Sequence, residues 1–395
     1  MPTQSIALVL AGGGARGAYE AGALSVLLPT LPVRQRPNLI VGASVGAVNG
    51  AYLAATLPDG TDLALSAGRE IWENLKWGDV LASPSLRDLD RIARATLTFT
   101  GLLSLDVPSL LDATPLQGTL ERLIDFGKIA EHVEAGRLKA AAVVATSAHT
   151  GRSVVFHCGG TPDEIRDDKR GIDYVPATLN EQHVRASSAI PAAFPAVEVE
   201  DGEGAGWYFD GGTRLNAPIK PALSLGARRV IVVGLNSIAP AGQDRIAGPE
   251  RPDLFAGAAH VLDALLADPL VEDIQTLTTI NELVGARRTH GYRKVPYIFI
   301  APPERDTIGQ IAREVFRRHY GGLLHAHRSP QLAFLGRLMD AGSDPQHGEL
   351  MSYLFFAPEF ARALIERGRK DAEAWLEEEH DDGLWDTGPL GRIKR

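Results

Sequence analysis

Three short stretches hold residue types able to do nucleophilic, acid-base or anion-binding chemistry. The first is Gly42-Ala43-Ser44-Val45-Gly46, which breaks an apolar run starting at Asn38 and precedes a small-residue run from Ala47 to Leu57. That order reads as strand, sharp turn and helix. It lifts a serine hydroxyl clear of a sheet, because glycines let the backbone approach closely on either side. With 41 glycines in 395 residues, a chance Gly-x-Ser-x-Gly is expected with a frequency of roughly 0.2. The flanking elements, more than the motif, therefore make Ser44 the leading nucleophile. The second stretch is Gly12-Gly13-Gly14-Ala15-Arg16-Gly17, between an apolar run at Ser5 to Leu10 and a helical pattern from Ala18 to Leu28. A glycine loop opening a helix presents backbone N–H groups to an anion. The third is Asp210-Gly211-Gly212 after the aromatic run Trp207-Tyr208-Phe209. Taken alone, Asp210 reads as a turn-capping aspartate.

The glycine loop admits two functional readings. Gly12, Gly14 and Gly17 satisfy the Gly-x-Gly-x-x-Gly of dinucleotide sites, but such a site wants an acidic residue about 20 positions on, at the end of the second strand. Here the second strand ends at Val41-Gly42 and leads to Ser44. An oxyanion hole fits better, since the loop after a neighbouring parallel strand can aim N–H donors at charge developing beside Ser44. Arg16 sits at the positive end of the following helix, where a cation is disfavoured. A surface ion pair is its ordinary explanation.

The remaining elements must position these stretches. Helical patterns are expected over Leu63 to Leu75 and from Asp112-Ala113-Thr114-Pro115 to Ile124, the latter with proline in its first turn. Ala140 to Ala145 and Ser153 to Phe156 read as a strand pair joined by a turn at His149-Thr150-Gly151. His149 and His157 read as satisfied polar residues near strand ends. The apolar patch Leu97 to Leu103 reads as an ordinary buried face, and Gly159 to Gly171 as a surface loop. Arg185 to Val197, with Pro191 and Pro195, is expected to run extended and pack tightly. Pro218 to Leu225 reads as a helix, and Arg228 to Gly234 and Val295 to Ile300 as strands extending the same sheet. Helical patterns follow at Leu254 to Leu266, Val271 to Val284, Thr307 to Tyr320 and Glu359 to Glu378. Arg313, Arg317 and Arg318 form a basic helical cluster read as a solvated face, and Asp381 to Arg395 as a loose tail.

Composition removes several classes. Apolar residues make up 45% and charged residues 23%, ordinary globular values that exclude disorder and collagen-like repeats. A net charge of −9 and a pI near 5.7 argue against a nucleic-acid partner, which needs a basic footprint. The single cysteine, Cys158, cannot form an internal disulfide, and no Cys/His spacing suggests a structural zinc site. The start lacks a basic n-region and no apolar stretch of about 18 residues appears, so neither a signal peptide nor a membrane span is expected. A cytoplasmic protein, peripheral at the membrane, is the expectation.

Taken together, the glycine loop, the serine elbow and the Asp-Gly-Gly, in that order, resemble the patatin-like phospholipase family of lipid acyl hydrolases. Asp112 to Leu116, Ser187 to Pro195 and Asn216-Ala217-Pro218 resemble family stretches as well. The likeness covers about Ser5 to Gly226. It implies a three-layer α/β/α fold with a central, mainly parallel sheet, a catalytic core over residues 5–226, and a C-terminal part, 227–395, that extends the sheet with additional helices. It also implies a Ser44–Asp210 dyad without histidine, an oxyanion hole from Gly12, Gly13, Gly14, Ala15, Arg16 and Gly17, a lipid or acyl-ester substrate, and no cofactor or metal. A carboxylate of ordinary pKa, about 4, is a weak base towards serine, so such a dyad needs burial around Asp210 or strong oxyanion stabilisation. The rival from another class is a nucleotide- or lipid-binding α/β module that keeps the loop and does no chemistry.

Overall fold

The computed structural model describes residues 5–82, 109, 111–238, 257, 261, 268–286, 293–320 and 345–388. Its strands are β1 (Ile6–Leu10), β2 (Leu39–Ala43), β3 (Ala140–Ser147), β4 (Ser153–Gly159), β5 (Arg166–Asp167), β6 (Ile172–Pro176), β7 (Val197–Val199), β8 (Gly206–Asp210), β9 (Arg229–Val233) and β10 (Tyr297–Ile300). They form one sheet in the order β10-β9-β1-β2-β3-β4-β6-β5, with β8 on β3 and β7 on β8. Neighbours from β10 through β3 are all parallel. Antiparallel pairs enter at β3–β4, β3–β8, β5–β6 and β7–β8. The fold is a three-layer α/β/α sandwich around a mixed, mainly parallel sheet. Its central strands are continuous apolar runs because helices cover both faces, and every residue of β1 and β2 is buried.

The helices are α1 (Ala18–Thr30), α2 (Val45–Thr56), α3 (Thr61–Asn74), α4 (Trp77–Val80), α5 (Thr114–Leu123), α6 (Phe126–Glu134), α7 (Glu181–Ser187), α8 (Ile219–Ser224), α9 (Asp268–Ala286), α10 (Thr307–His319), α11 (Pro345–Ser352) and α12 (Pro358–Glu377). α1 and α2 cross over from β1 and β2, and α12 packs against α1. That contact is close: a Cβ on Gly22 of α1 would overlap the Ile365 carbonyl of α12, and one on Gly368 would overlap that of Tyr19.

One detail of the sheet brings distant residues together. β2 pairs with β3 up to Ala43 opposite Val144. β4 occupies the other edge of β3 from Ala140 to Thr146. β8 therefore joins the edge that β2 leaves, with Asp210 opposite Ala145. The last residue of β8 thus lands beside the turn that follows β2.

Several expectations change. Arg16 is no surface residue but completely buried. The Gly159 to Gly171 loop contains β5, two residues paired with β6. The stretch expected to run extended from Arg185 begins inside α7, which Asn180 caps by accepting from the His183 N–H at 3.3 Å. The tail is ordered through Gly388: Asp386 exchanges backbone hydrogen bonds with Tyr297, 2.9 Å each, and Trp385 is buried, its indole N–H on Gln35 Oε1 at 3.1 Å. One aromatic anchor outweighs the polar composition around it. The patch Leu97 to Leu103 and residues 389–395 lie outside the described residues, as does Leu254 to Leu266 except the helical Gly257 and Val261.

Candidate functional site

Ser44 stands between β2 and α2 with φ 54° and ψ −127°, a conformation that non-glycine residues adopt only where the surroundings enforce it. The enforcement is visible. A Cβ at Gly42 would overlap the Gly46 carbonyl, and one at Gly46 the carbonyl of Leu10, so both flanking glycines are required by backbone contact. Ser44 N–H donates to Ser187 Oγ at 2.8 Å, and that hydroxyl donates onward to the Val144 carbonyl at 2.5 Å. The serine is nearly buried, at 4% exposure, yet lines a cavity.

Asp210 ends β8 with 1% exposure. Its Oδ1 accepts the Gly212 N–H at 2.6 Å, and its own carbonyl accepts from Thr146 and Thr213 at 3.0 and 2.8 Å. Burial pushes its carboxyl up to about 7, against the opposing pull of the nearby Ser44 hydroxyl and the Gly212 N–H. A carboxyl so poised can both accept and return a proton near neutral pH.

The glycine loop follows β1 and becomes a 3-10 turn over Gly14–Gly17. Gly12 N–H donates to Asn216 Oδ1 at 2.8 Å and lies near the Asn216 carbonyl at 3.2 Å. Ala15 N–H donates to Tyr353 and Arg16 N–H to Gly13, and Gly17 closes the turn. Gly13 and Gly14 N–H groups have no acceptor among the described residues, and Gly14 lines the cavity together with Ser44. The Arg16 side chain turns away from the cavity into a buried cluster with Glu349, Ser352 and Asn236. The structure thus gathers Gly12 to Gly17, Ser44 and Asp210 at the carboxyl ends of the central strands, where β1 is flanked by β2 and β9 and the winding reverses.

The cavity runs between α2, α3 and α5, walled by apolar side chains that include Leu24, Val48, Leu65, Ile71, Leu120 and Phe194. No described histidine lines it. His149 is exposed on the β3–β4 turn, and His157 Nδ1 pairs with the Gly159 carbonyl at 2.8 Å. Burial lowers His183 to about 4. No three His, Cys, Asp or Glu side chains converge as a metal site would require among the described residues, nor is any described helix long and apolar enough to cross a membrane.

Three supporting residues escape a reading by motif. Ser187 holds the Ser44 amide, and Asn216 holds Gly12; both belong to stretches that resemble the family, which was their only signal. Glu20 is buried and accepts from Asn49 Nδ2 at 2.7 Å, while Asn49 Oδ1 accepts from the Trp72 indole at 3.0 Å. Burial raises Glu20 to about 8. This chain of contacts ties α1, which continues the glycine loop, to α2, which continues the serine turn.

A strand-turn-helix serine beside a glycine loop, with an aspartate at the adjoining strand end, defines a class of α/β acyl hydrolase folds. Residues 8–223 match the model of the family described as patatin-like phospholipase. That is more than half of the chain, so the chain belongs to the patatin-like phospholipase family. No curated protein matches it. Among solved structures it is similar to VipD from Legionella pneumophila, at 14% identity and a TM-score of 0.30, covering 77% of this chain and 62% of that one. It is also similar to a complex of full-length ExoU with SpcU from the type III secretion system of Pseudomonas aeruginosa, at 13% identity and a TM-score of 0.28, covering 88% and 70%. The chain therefore spans less than two thirds of the VipD chain.

Proposed function

We propose that this protein hydrolyses fatty-acyl esters of lipids through a Ser44–Asp210 dyad. Ser44 Oγ attacks the acyl carbonyl as Asp210 takes its proton. The tetrahedral oxyanion is held by the N–H groups of Gly13 and Gly14, the members of the loop whose donors are not engaged among the described residues. Asp210 then protonates the departing alcohol, leaving an acyl-Ser44. In the second half a water attacks the acyl carbon as it gives its proton to Asp210, and Asp210 passes that proton to Ser44 Oγ as the bond to the serine breaks and the fatty acid leaves. The observation that carries the reading is the buried carboxyl of Asp210, which the sheet register brings to the end of β8 beside the Ser44 turn and which burial raises to about 7. The apolar cavity beginning at Ser44 supports an acyl chain as the recognised group.

A non-catalytic binding module keeps the loop but gives no reason for a strained serine next to a carboxyl of raised pKa. An active-serine phosphonate decides between them. The parent chain is expected to label once, at Ser44, and to turn over a panel of acyl esters and phospholipids. Ser44→Ala should lose labelling and on the order of 10⁵-fold or more in turnover, with an unchanged circular-dichroism spectrum. Equal turnover in that variant would end the nucleophile assignment.

A further inference from the structure

The glycine loop is gripped from behind by a part of the chain beyond residues 8–223. Consecutive glycines hold no shape by themselves, and the first side chain that can be gripped is Arg16. It is fully buried. Its Nε donates to Ser352 Oγ at 2.8 Å, Nη1 to Asn236 Oδ1 at 2.7 Å, and Nη2 to both the carbonyl and Oε1 of Glu349, at 2.9 and 2.6 Å. The guanidinium carbon stacks 3.6 Å from the centroid of the Tyr353 ring. The backbone is held as well: Ala15 N–H donates to the Tyr353 carbonyl at 2.9 Å. Gly14, at φ 59°, packs so closely on that carbonyl that a Cβ would overlap it. Phe356 continues from this grip into the cavity wall.

A planar fork bonded along two edges leaves the side chain one rotamer. Its position at a helix N-terminus disfavours the charge, which the Glu349 carboxylate offsets. Oxyanion donors act because they are already aimed and need not reorganise, so whatever fixes the loop's direction fixes their worth.

We propose that Arg16 and Glu349 are positioning residues for the oxyanion donors, the segment Glu349–Tyr353 setting the angle of the Gly13 and Gly14 N–H groups. The inference rests on the serine-hydrolase reading above. It places the dependence in turnover and leaves substrate affinity unchanged.

The test uses the full chain with Arg16→Lys, Glu349→Gln and Ser352→Ala. Functional serines are counted with an active-serine phosphonate, and kcat and KM are measured on a chromogenic acyl ester per counted site. Arg16→Lys and Glu349→Gln should lose up to about 10²-fold in kcat per site, and Ser352→Ala less, with KM within about twofold of the parent. A merely structural role gives the opposite pattern, fewer functional serines with parental turnover at each, and overturns the proposal. Unchanged kcat in folded variants overturns it too. If Glu349→Gln fails to fold, Ser352→Ala and Arg16→Lys decide, since both keep the cation and its carboxylate. A parent chain that takes up no phosphonate removes the serine reading and this inference with it.

Discussion

Arg16 and Asp210 are both charged residue types withdrawn from water, and they are treated oppositely. The Arg16 region surrounds its cation with a carboxylate, a hydroxyl, an amide oxygen and an aromatic face. Among the described residues the Asp210 carboxylate accepts one hydrogen bond, from the Gly212 N–H, and faces no cation, so burial wins and the carboxyl rises to about 7. A compensated buried charge fixes geometry. An undercompensated one is left poised to move a proton.

The widest separation between the two regions should come from removing each charge. Asp210→Asn is expected to cost on the order of 10² to 10⁴ in turnover, the size of a lost general base. Because it removes a carboxyl that is costly to ionise in place, its melting temperature at pH 8 should match or exceed the parent's. Arg16→Met should do the reverse in stability. It removes the buried cation that bonds Glu349, Ser352 and Asn236, and urea unfolding should register a loss of about 3–5 kcal/mol. If Asp210→Asn is the less stable of the two, the contrast fails.

The pH dependence sharpens the same point. Asp210 and Glu20 are both raised, to about 7 and about 8, so the folded state holds protons that the unfolded chain releases near pH 4. Their contribution to stability is complete below that value and is lost as pH rises through the folded values. The melting temperature should therefore fall from about pH 5 to about pH 8, with a shallower fall in Asp210→Asn. Activity moves the other way: kcat/KM should climb with pH along an acid limb near 7, as Asp210 ionises into the form that accepts a proton. An acid limb near 4 would mean that the carboxyl is solvated in the working enzyme. The smallest effect should be Ser187→Ala, which unpairs the Ser44 amide and should lower stability by about 1–3 kcal/mol while leaving phosphonate labelling at Ser44 in place.

What was legible in the sequence was local. β1 with its glycine loop and α1, and β2 with its serine turn and α2, are each set by contiguous residues, and their limits fall within two residues of the patterned runs. Asp210 drew attention only in company with the other motifs, because Asp-Gly is an ordinary turn and the strand that carries it reaches the serine turn only by way of β3. The supporting contacts were out of reach. Ser187 lies 143 residues from Ser44, Asn216 lies 204 from Gly12, and Glu349 lies 333 from Arg16, so no spacing rule could join them. Arg16 was misjudged for that reason: the local helix dipole disfavours it, and everything that overrides the dipole arrives from elsewhere in the chain. Trp385 inverted the reading of the tail in the same way.

The hand-over on β3, where β2 stops opposite Val144 and β8 begins opposite Ala145, has a consequence for how this protein can diversify. Ala43, which leads into Ser44, and Asp210 lie opposite consecutive residues of β3, so the spacing of the proposed nucleophile and base belongs to the sheet's register, whereas the cavity is walled largely by side chains of helices. Substitutions along α2, α3 and α5 would then reshape what the cavity accepts without retuning the proposed proton transfer. A single-residue slip of β8 against β3 would face Asp210 to the opposite side of the sheet and separate the proposed dyad with every cavity residue still in place.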